Sequence, residues 1–292
     1  MQRLLILGAN GFIGKNLKEF FNNSAKYQVL APSRQELNLL DDSACCTYLK
    51  NYLPDFIIHC AVDITSVEKT LTMFFNIYNH SAYFGQLINI GSGAEYDKRL
   101  YRPRMTEEQF GLSVPTDTYG LAKYLIGRQI EADRNKQVTN LRVFGIFGPY
   151  EDINRRFISN NICRVLCGLP ISLNRDMLFD YLYVDDLAKV IDVVLPTLPL
   201  KSPSYNLCSG RPHTLLDIAK VIQQKLAVKS EIIIKNMGNN PEYSGEPQKF
   251  FNEVALIEFE PIASSIDKLI RYYQKILKQD DLIMLKRTWL ET

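Results

Sequence analysis

Arg3-Leu4-Leu5-Ile6-Leu7-Gly8-Ala9-Asn10-Gly11-Phe12-Ile13-Gly14 is the stretch that decides the fold. Its apolar run reads as a buried strand, its glycines as a tight turn, and the amphipathic Lys15–Phe21 behind them as a helix. Strand, glycine turn and helix form the entrance to a dinucleotide site. Glycines let backbone N–H groups approach a pyrophosphate, and the helix N-terminus favours the negative charge. Gly8, Asn10, Gly11, Phe12, Ile13 and Gly14 are therefore candidate cofactor contacts. The spacing is G-x-x-G-x-x-G, not the G-x-G-x-x-G of most dehydrogenases.

Outward from this turn, apolar runs alternate with helical patterns. Strands are expected at Leu4–Leu7, Gln28–Ala31, Phe56–Cys60, Leu87–Ile90 and Asn140–Phe144, and helices at Gly14–Asn22, Asp42–Tyr52, Ser66–Ala82 and Thr118–Asn135. This rhythm predicts an α/β fold with a Rossmann-like, doubly wound parallel sheet. After Gly148-Pro149 the regularity loosens. Helices are expected at Ile153–Cys167, Asp217–Leu226 and Ser264–Lys278, with strands at Phe179–Val184 and Glu231–Ile234. Residues 1–150, with roughly 176–210, are read as the nucleotide-binding domain. Residues 151–175 and 211–292 are read as a smaller mixed α/β substrate lobe over the C-terminal edge of the strands.

The 292 residues, 46% hydrophobic and 23% charged, are ordinary for a globular protein. A net charge of +2 offers no reason to expect nucleic acid as a partner. No apolar run approaches the roughly 20 residues of a membrane span. With the first strand beginning almost at Met1, no signal peptide is expected and the protein should be cytoplasmic. The six cysteines form no C-x-x-C pair, so reduced, mostly buried thiols are expected and no metal site.

Tyr119-Gly120-Leu121-Ala122-Lys123 puts a tyrosine and a lysine at i and i+4 on one helix face. A phenol of ordinary pKa near 10 is a poor proton donor and acceptor at neutral pH, and an ammonium one turn away makes it a better one. The strand end Ile90-Gly91-Ser92-Gly93 supplies a third group, Ser92, able to bond the same substrate oxygen. Alone, Ser92 reads more readily as a turn residue than as a catalytic one. These residues, the glycine turn, Arg142-Val143-Phe144-Gly145-Ile146-Phe147-Gly148-Pro149 and Tyr183-Val184-Asp185-Asp186 together give a chain that resembles the extended short-chain dehydrogenase/reductases acting on nucleotide sugars. The resemblance covers nearly the whole length.

That resemblance implies Ser92, Tyr119 and Lys123 as the catalytic set. Dehydratases of the family carry an Asp-Glu pair after the serine or threonine, and its decarboxylases a glutamate at the second of those places. Gly93 and Ala94 stand there, and Glu95 falls one place too late, turned to the other side. Ser33-Arg34-Gln35-Glu36-Leu37-Asn38-Leu39-Leu40-Asp41 is similar to the second strand-to-helix connection of the GDP-fucose synthase-like branch. The similarity implies NADP: Ser33 and Arg34 at the 2′-phosphate, Asn38 and Leu39 at the adenine, with Cys60 and Ala61 as further cofactor contacts. Arg34 also reads as a solvated surface charge, and a second arginine of that branch is Asn10 here. The cysteine and histidine used by epimerising relatives fall at Ala94 and near Arg156.

What then remains is hydride transfer with NADPH to the C4 ketone of a nucleotide-linked 4-keto-6-deoxyhexose, with family knowledge leaning towards dTDP sugars and O-antigen supply. Gly93, Ala94, Arg156 and Arg175 join Ser92 and Tyr119 on the expected substrate side. Arg155 and Lys249 are further candidate cations, and each of these charges also reads as solvated. An NAD-dependent 4-epimerase and a non-catalytic NADP-binding protein are the alternatives. Apolar residues such as Phe74, Phe75, Tyr78, Tyr124 and Ile130 exceed one buried face of their two helices. In relatives such helices form a four-helix dimer interface, so a homodimer is expected.

Overall fold

Leu4, Leu5, Ile6 and Leu7 are all buried, which one strand achieves only when both faces of its sheet are covered. The computed structural model describes residues 1–133, 137–255 and 257–290. It begins β1 (Gln2–Leu7), α1 (Phe12–Asn22), β2 (Tyr27–Leu30), α2 (Asp42–Tyr52), β3 (Phe56–His59), α3 (Val67–Tyr78), β4 (Gln86–Ser92), α4 (Thr118–Ala132), β5 (Val138–Val143). There follow β6 (Gly145–Phe147), α5 (Phe157–Leu166), β7 (Ile171–Leu173), β8 (Leu178–Phe179), β9 (Tyr181–Tyr183), α6 (Val184–Val194), β10 (Ser204–Leu207) and β11 (His213–Thr214). The chain closes with α7 (Leu215–Leu226), β12 (Ile232–Ile234), α8 (Gln248–Phe251), α9 (Ile262–Ile276) and α10 (Gln279–Leu290).

Six parallel strands make the main sheet in the order β2-β1-β3-β4-β5-β10. Alternation along β1 divides its side chains between two layers. Leu4 and Ile6 pack with Leu17, Phe21, Leu187 and Ile191 of α1 and α6. Leu5 and Leu7 pack with Leu49, Phe74, Ile77 and Ile126 of α2, α3 and α4. The chain leaves β1 towards β2 and returns to β3 on the other side of β1. That reversal opens a crevice at the C-terminal ends of the strands, where such sheets bind ligands. A separate apolar cluster under α5, α7 and α9 builds the lobe beside it.

Several boundaries differ from the sequence expectation for identifiable reasons. Phe179–Val184 is not one strand: it breaks at Asp180, whose buried carboxylate accepts the N–H groups of Ser209 (2.9 Å) and Gly210 (2.8 Å). β8 then pairs with β11 and β9 with β6. The helix expected from Ile153 starts at Phe157, because Arg155 and Arg156 first close a turn on the Asp152 carbonyl. Phe250 and Val254, expected in the lobe, pack into the core of the main sheet. The closing segment is helical through Leu290; its last two residues, like Asn135, lie outside the described residues. Phe74, Tyr124 and Ile130 are buried within the subunit, leaving Phe75 and Tyr78 half-buried and Leu125 exposed on the outer side of α3 and α4. Among the described residues no helix is long and apolar enough to cross a membrane. The six cysteines are unpaired, four of them buried.

Candidate active site

The three glycines of the first turn have different reasons to be glycine. Gly8 has φ +77°, and a Cβ there would lie 2.7 Å from the Ala61 nitrogen. A Cβ at Gly14 would lie 2.2 Å from the Gly8 carbonyl oxygen, so α1 seats directly on the turn. Gly11 is different: its nearest neighbour, the Gly8 oxygen, would be 3.4 Å away, an ordinary contact. The chain's own packing does not require a glycine there, whereas a pyrophosphate lying against the backbone does. Gly11 is also the N-cap of α1, without a side-chain cap and with no acidic residue in the first turn. The free N–H groups and the dipole of α1 thus present an anion site.

This turn forms one wall of a cavity of about 430 Å³. Arg34, Asn38, Leu39, Cys60 and Ala61 line it, as do Asn10, Phe12, Ile13, Tyr119 and Arg156. Arg34 is exposed, with no carboxylate paired to it among the described residues. Ser33 is not in the lining; its N–H donates to Glu36 Oε2 at 2.7 Å. These residues fit a dinucleotide carrying a further phosphate.

The helix bearing Tyr119 is placed by Asp117, whose carboxylate accepts the Gly120 N–H at 3.0 Å. Such a cap contributes about 1 kcal/mol and puts Tyr119 in the first turn of α4, at the cavity. One turn on, the buried Lys123 donates from Nζ to the Ile90 carbonyl at 2.7 Å. Its other two N–H groups remain for a ligand. Burial, helped by the Lys123 charge, pushes the neighbouring His59 imidazole down to about 4, so His59 is neutral at physiological pH. Ser92 ends β4, and its Oγ accepts the Ala94 N–H at 3.1 Å, leaving the hydroxyl proton to point elsewhere.

Opposite Ser92 stands Tyr243, which the sequence reading did not identify. Its hydroxyl interacts with Ser92 and lies within the electrostatic reach of Tyr119, Tyr101 and Arg156. Burial holds that phenol well above its ordinary pKa, so it is a proton-bearing donor. Its ring contacts those of Phe179 (4.7 Å between centroids), Phe144 (5.1 Å) and Tyr101 (5.2 Å). Glycines admit this aromatic wall. A Cβ at Gly93 would be 2.5 Å from the Tyr243 hydroxyl, at Gly145 2.3 Å from the Phe179 ring, and at Gly245 2.4 Å from the Phe144 ring. The glycines themselves were the available signal, although which ring each one accommodates is visible only in the fold.

The remaining candidates divide. Arg156 reaches the cavity, whereas Arg175 is exposed beyond β7 and outside its lining. Arg155 is exposed in the turn before α5. Lys249 donates to the Ser204 carbonyl at 3.2 Å and is committed to β10. Gly93 and Ala94 lie between Ser92 and Glu95 in a short 3₁₀ turn, and Glu95 is directed into the core.

The chain matches the NAD dependent epimerase/dehydratase family over residues 4–208. It is 22% identical over 306 residues to the GDP-L-colitose synthase of Yersinia pseudotuberculosis, covering 93% of this chain and 97% of that one. A GDP-L-fucose synthetase from Naegleria fowleri bound to NADP superimposes with TM-score 0.81 at 17% identity over 94% of each chain. A GDP-mannoheptose C4 reductase from Campylobacter jejuni with NADP bound gives TM-score 0.81 at 16% identity, over 94% of this chain and 98% of that one. Sequence, sheet order and glycine turn agree: the chain belongs to the NAD dependent epimerase/dehydratase family, among the extended short-chain dehydrogenase/reductases.

Proposed function

We propose that this protein reduces the C4 ketone of a nucleotide-linked 4-keto-6-deoxyhexose, using NADPH. The observation that carries the reading is the pairing of an intact Ser92, Tyr119 and Lys123 with Gly93 and Ala94 at the places where an added acid or base would stand. Bound NADPH would supply the hydride, held by Gly11 and the α1 N-terminus, Arg34, Asn38, Leu39, Cys60, Ala61 and Lys123. Tyr119 gives its proton to the carbonyl oxygen, Ser92 orients that oxygen, and Tyr243 faces them as a second donor. Arg156, which reaches the cavity, is the proposed cation for the nucleotide diphosphate. The relatives named above act on GDP-linked sugars, which supports guanosine ahead of thymidine as the nucleotide. We also propose a cytoplasmic homodimer through the outer side of α3 and α4, visible as a light-scattering mass of twice 33.6 kDa.

The test is loss of NADPH absorbance with a panel of GDP-, dTDP-, CDP- and UDP-linked 4-keto-6-deoxyhexoses, NADH run alongside. Oxidation with one member is expected, together with a roughly 100-fold or greater loss of turnover in Tyr119→Phe at unchanged NADPH affinity. No oxidation with any member, and protein that purifies with NAD already bound, would replace this reading with a 4-epimerase.

A further inference from the structure

The turn that carries Ser92 contains one charged group for which the proposed chemistry has no use. Glu95 and Arg142 are both fully buried and form an ion pair with Nε 2.7 Å from Oε2. The same carboxylate accepts Asn140 Nδ2 (3.0 Å to Oε2, 3.2 Å to Oε1) and the backbone N–H of Ser92 (2.9 Å). With those contacts spent inside the core, Glu95 is no acid or base for a ligand. Buried charge is costly even when paired, so its place needs a reason.

The surroundings supply one. A Cβ at Gly91 would lie 2.4 Å from Glu95 Oε1, and one at Gly127 2.6 Å from Oε2. Gly127 follows Tyr119 and Lys123 at i+8 and i+4, on one face of α4. On that face Lys123 holds the Ile90 carbonyl, and a Cβ at Gly120 would be 2.7 Å from the Ala94 carbonyl. Arg142 reaches back to α4 as well, with Nη2 2.7 Å from Glu131. The 90–95 turn is therefore seated on the catalytic helix at three successive levels, and Glu95 is the only one of these contacts that also grips the Ser92 amide.

We propose that Glu95 is a positioning residue: through Arg142, Asn140 and its seat over Gly127 it fixes the Ser92 turn against α4, so that Ser92 and Tyr119 address one substrate oxygen. This rests on the reading that Ser92, Tyr119 and Lys123 carry the reaction.

Two variants test it. Glu95→Gln keeps the shape and drops the charge; Glu95→Leu combined with Arg142→Met removes both charges and leaves neither orphaned. Each is measured for kcat and KM with the ketosugar the wild-type enzyme reduces, for NADPH affinity, for melting temperature, and for amide exchange at Ala94. The double variant leaves the Ser92 and Asn140 N–H groups without their acceptor, so it is expected to melt below the wild type while binding NADPH as the wild type does. Its kcat should drop about 10- to 100-fold at little-changed KM, with faster exchange at Ala94. Glu95→Gln carries the same comparison should the double variant unfold. Wild-type kcat in a folded variant would overturn the inference and leave the pair as core filling. If the wild type reduces no ketosugar, the reductase reading is what fails. Exchange at Ala94, whose N–H is held by Ser92 Oγ and not by Glu95, then decides this inference alone: full protection of Ala94 in the variant overturns it, and faster exchange supports it.

Discussion

Arg34 stands exposed on the cavity wall with no carboxylate paired to it among the described residues, while Glu36, two positions on, is held by the Ser33 N–H. An acid at the end of the second strand selects for the ribose hydroxyls of NAD; a guanidinium suits a 2′-phosphate. Arg34→Ala is expected to raise the NADPH KM about 10- to 100-fold, the worth of a charged hydrogen bond, and to leave NADH nearly unaffected. Equal losses for both cofactors would show that Arg34 supports the loop and reads no phosphate. Tyr243 operates at the same scale: burial raises its pKa, so it stays protonated and keeps a hydroxyl that can both donate and accept beside Ser92.

At the scale of the element, the β1–α1 connection separates packing from binding within seven residues. Gly14→Ala drives a methyl to within 2.2 Å of the Gly8 oxygen; the strain of such overpacking is about 1–3 kcal/mol, read as a lower melting temperature. Gly11→Ala meets nothing closer than 3.4 Å, at φ −81° and ψ 173°, which any residue adopts. That variant should fold normally and lose NADPH affinity about tenfold or more, equivalent to 1.4 kcal/mol. Calorimetry and NADPH titration on the two proteins check this division, and matching behaviour of the two would refute it. The α4 element shows a similar economy. Tyr119, Lys123 and Gly127 share one face: Tyr119 lines the cavity, Lys123 holds the Ile90 carbonyl, and Gly127 gives Glu95 its seat.

For the whole molecule, two buried groups oppose each other in pH. Burial and the Lys123 charge lower His59 from 6.5 to about 4. The unfolded chain therefore takes up a proton that the native state refuses, and stability falls as pH drops from 6.5 to 4. Glu151, buried beside Ser159, is raised from 4.5 to about 7. Here the native state keeps a proton that the unfolded chain releases, so stability falls as pH rises from 4.5 to 7. Glu151→Gln removes the second effect. Relative to wild type, the variant should gain about 3 kcal/mol between pH 4.5 and pH 7.5, measured by urea unfolding. A stability difference that does not change with pH would show that Glu151 titrates normally.

Short apolar runs separated by turn residues had one stable arrangement, a sheet covered on both faces, so the sequence by itself determined the main fold. It determined the glycine turn and the Tyr119–Lys123 pair as well, because their meaning lies in spacings of three and four residues. Local signals of this kind survive in one dimension. Asp180 breaking a strand, Phe250 joining the main core, Tyr243 facing Ser92 and Glu95 meeting Arg142 were decided by the tertiary structure. Each depends on partners far apart in the chain, 47 residues in the case of Glu95 and Arg142. Such contacts leave no period for a sequence to display. The aromatic wall is the clearest instance: Gly93, Gly145 and Gly245 look like ordinary turn residues until the fold places a ring where each side chain would have been.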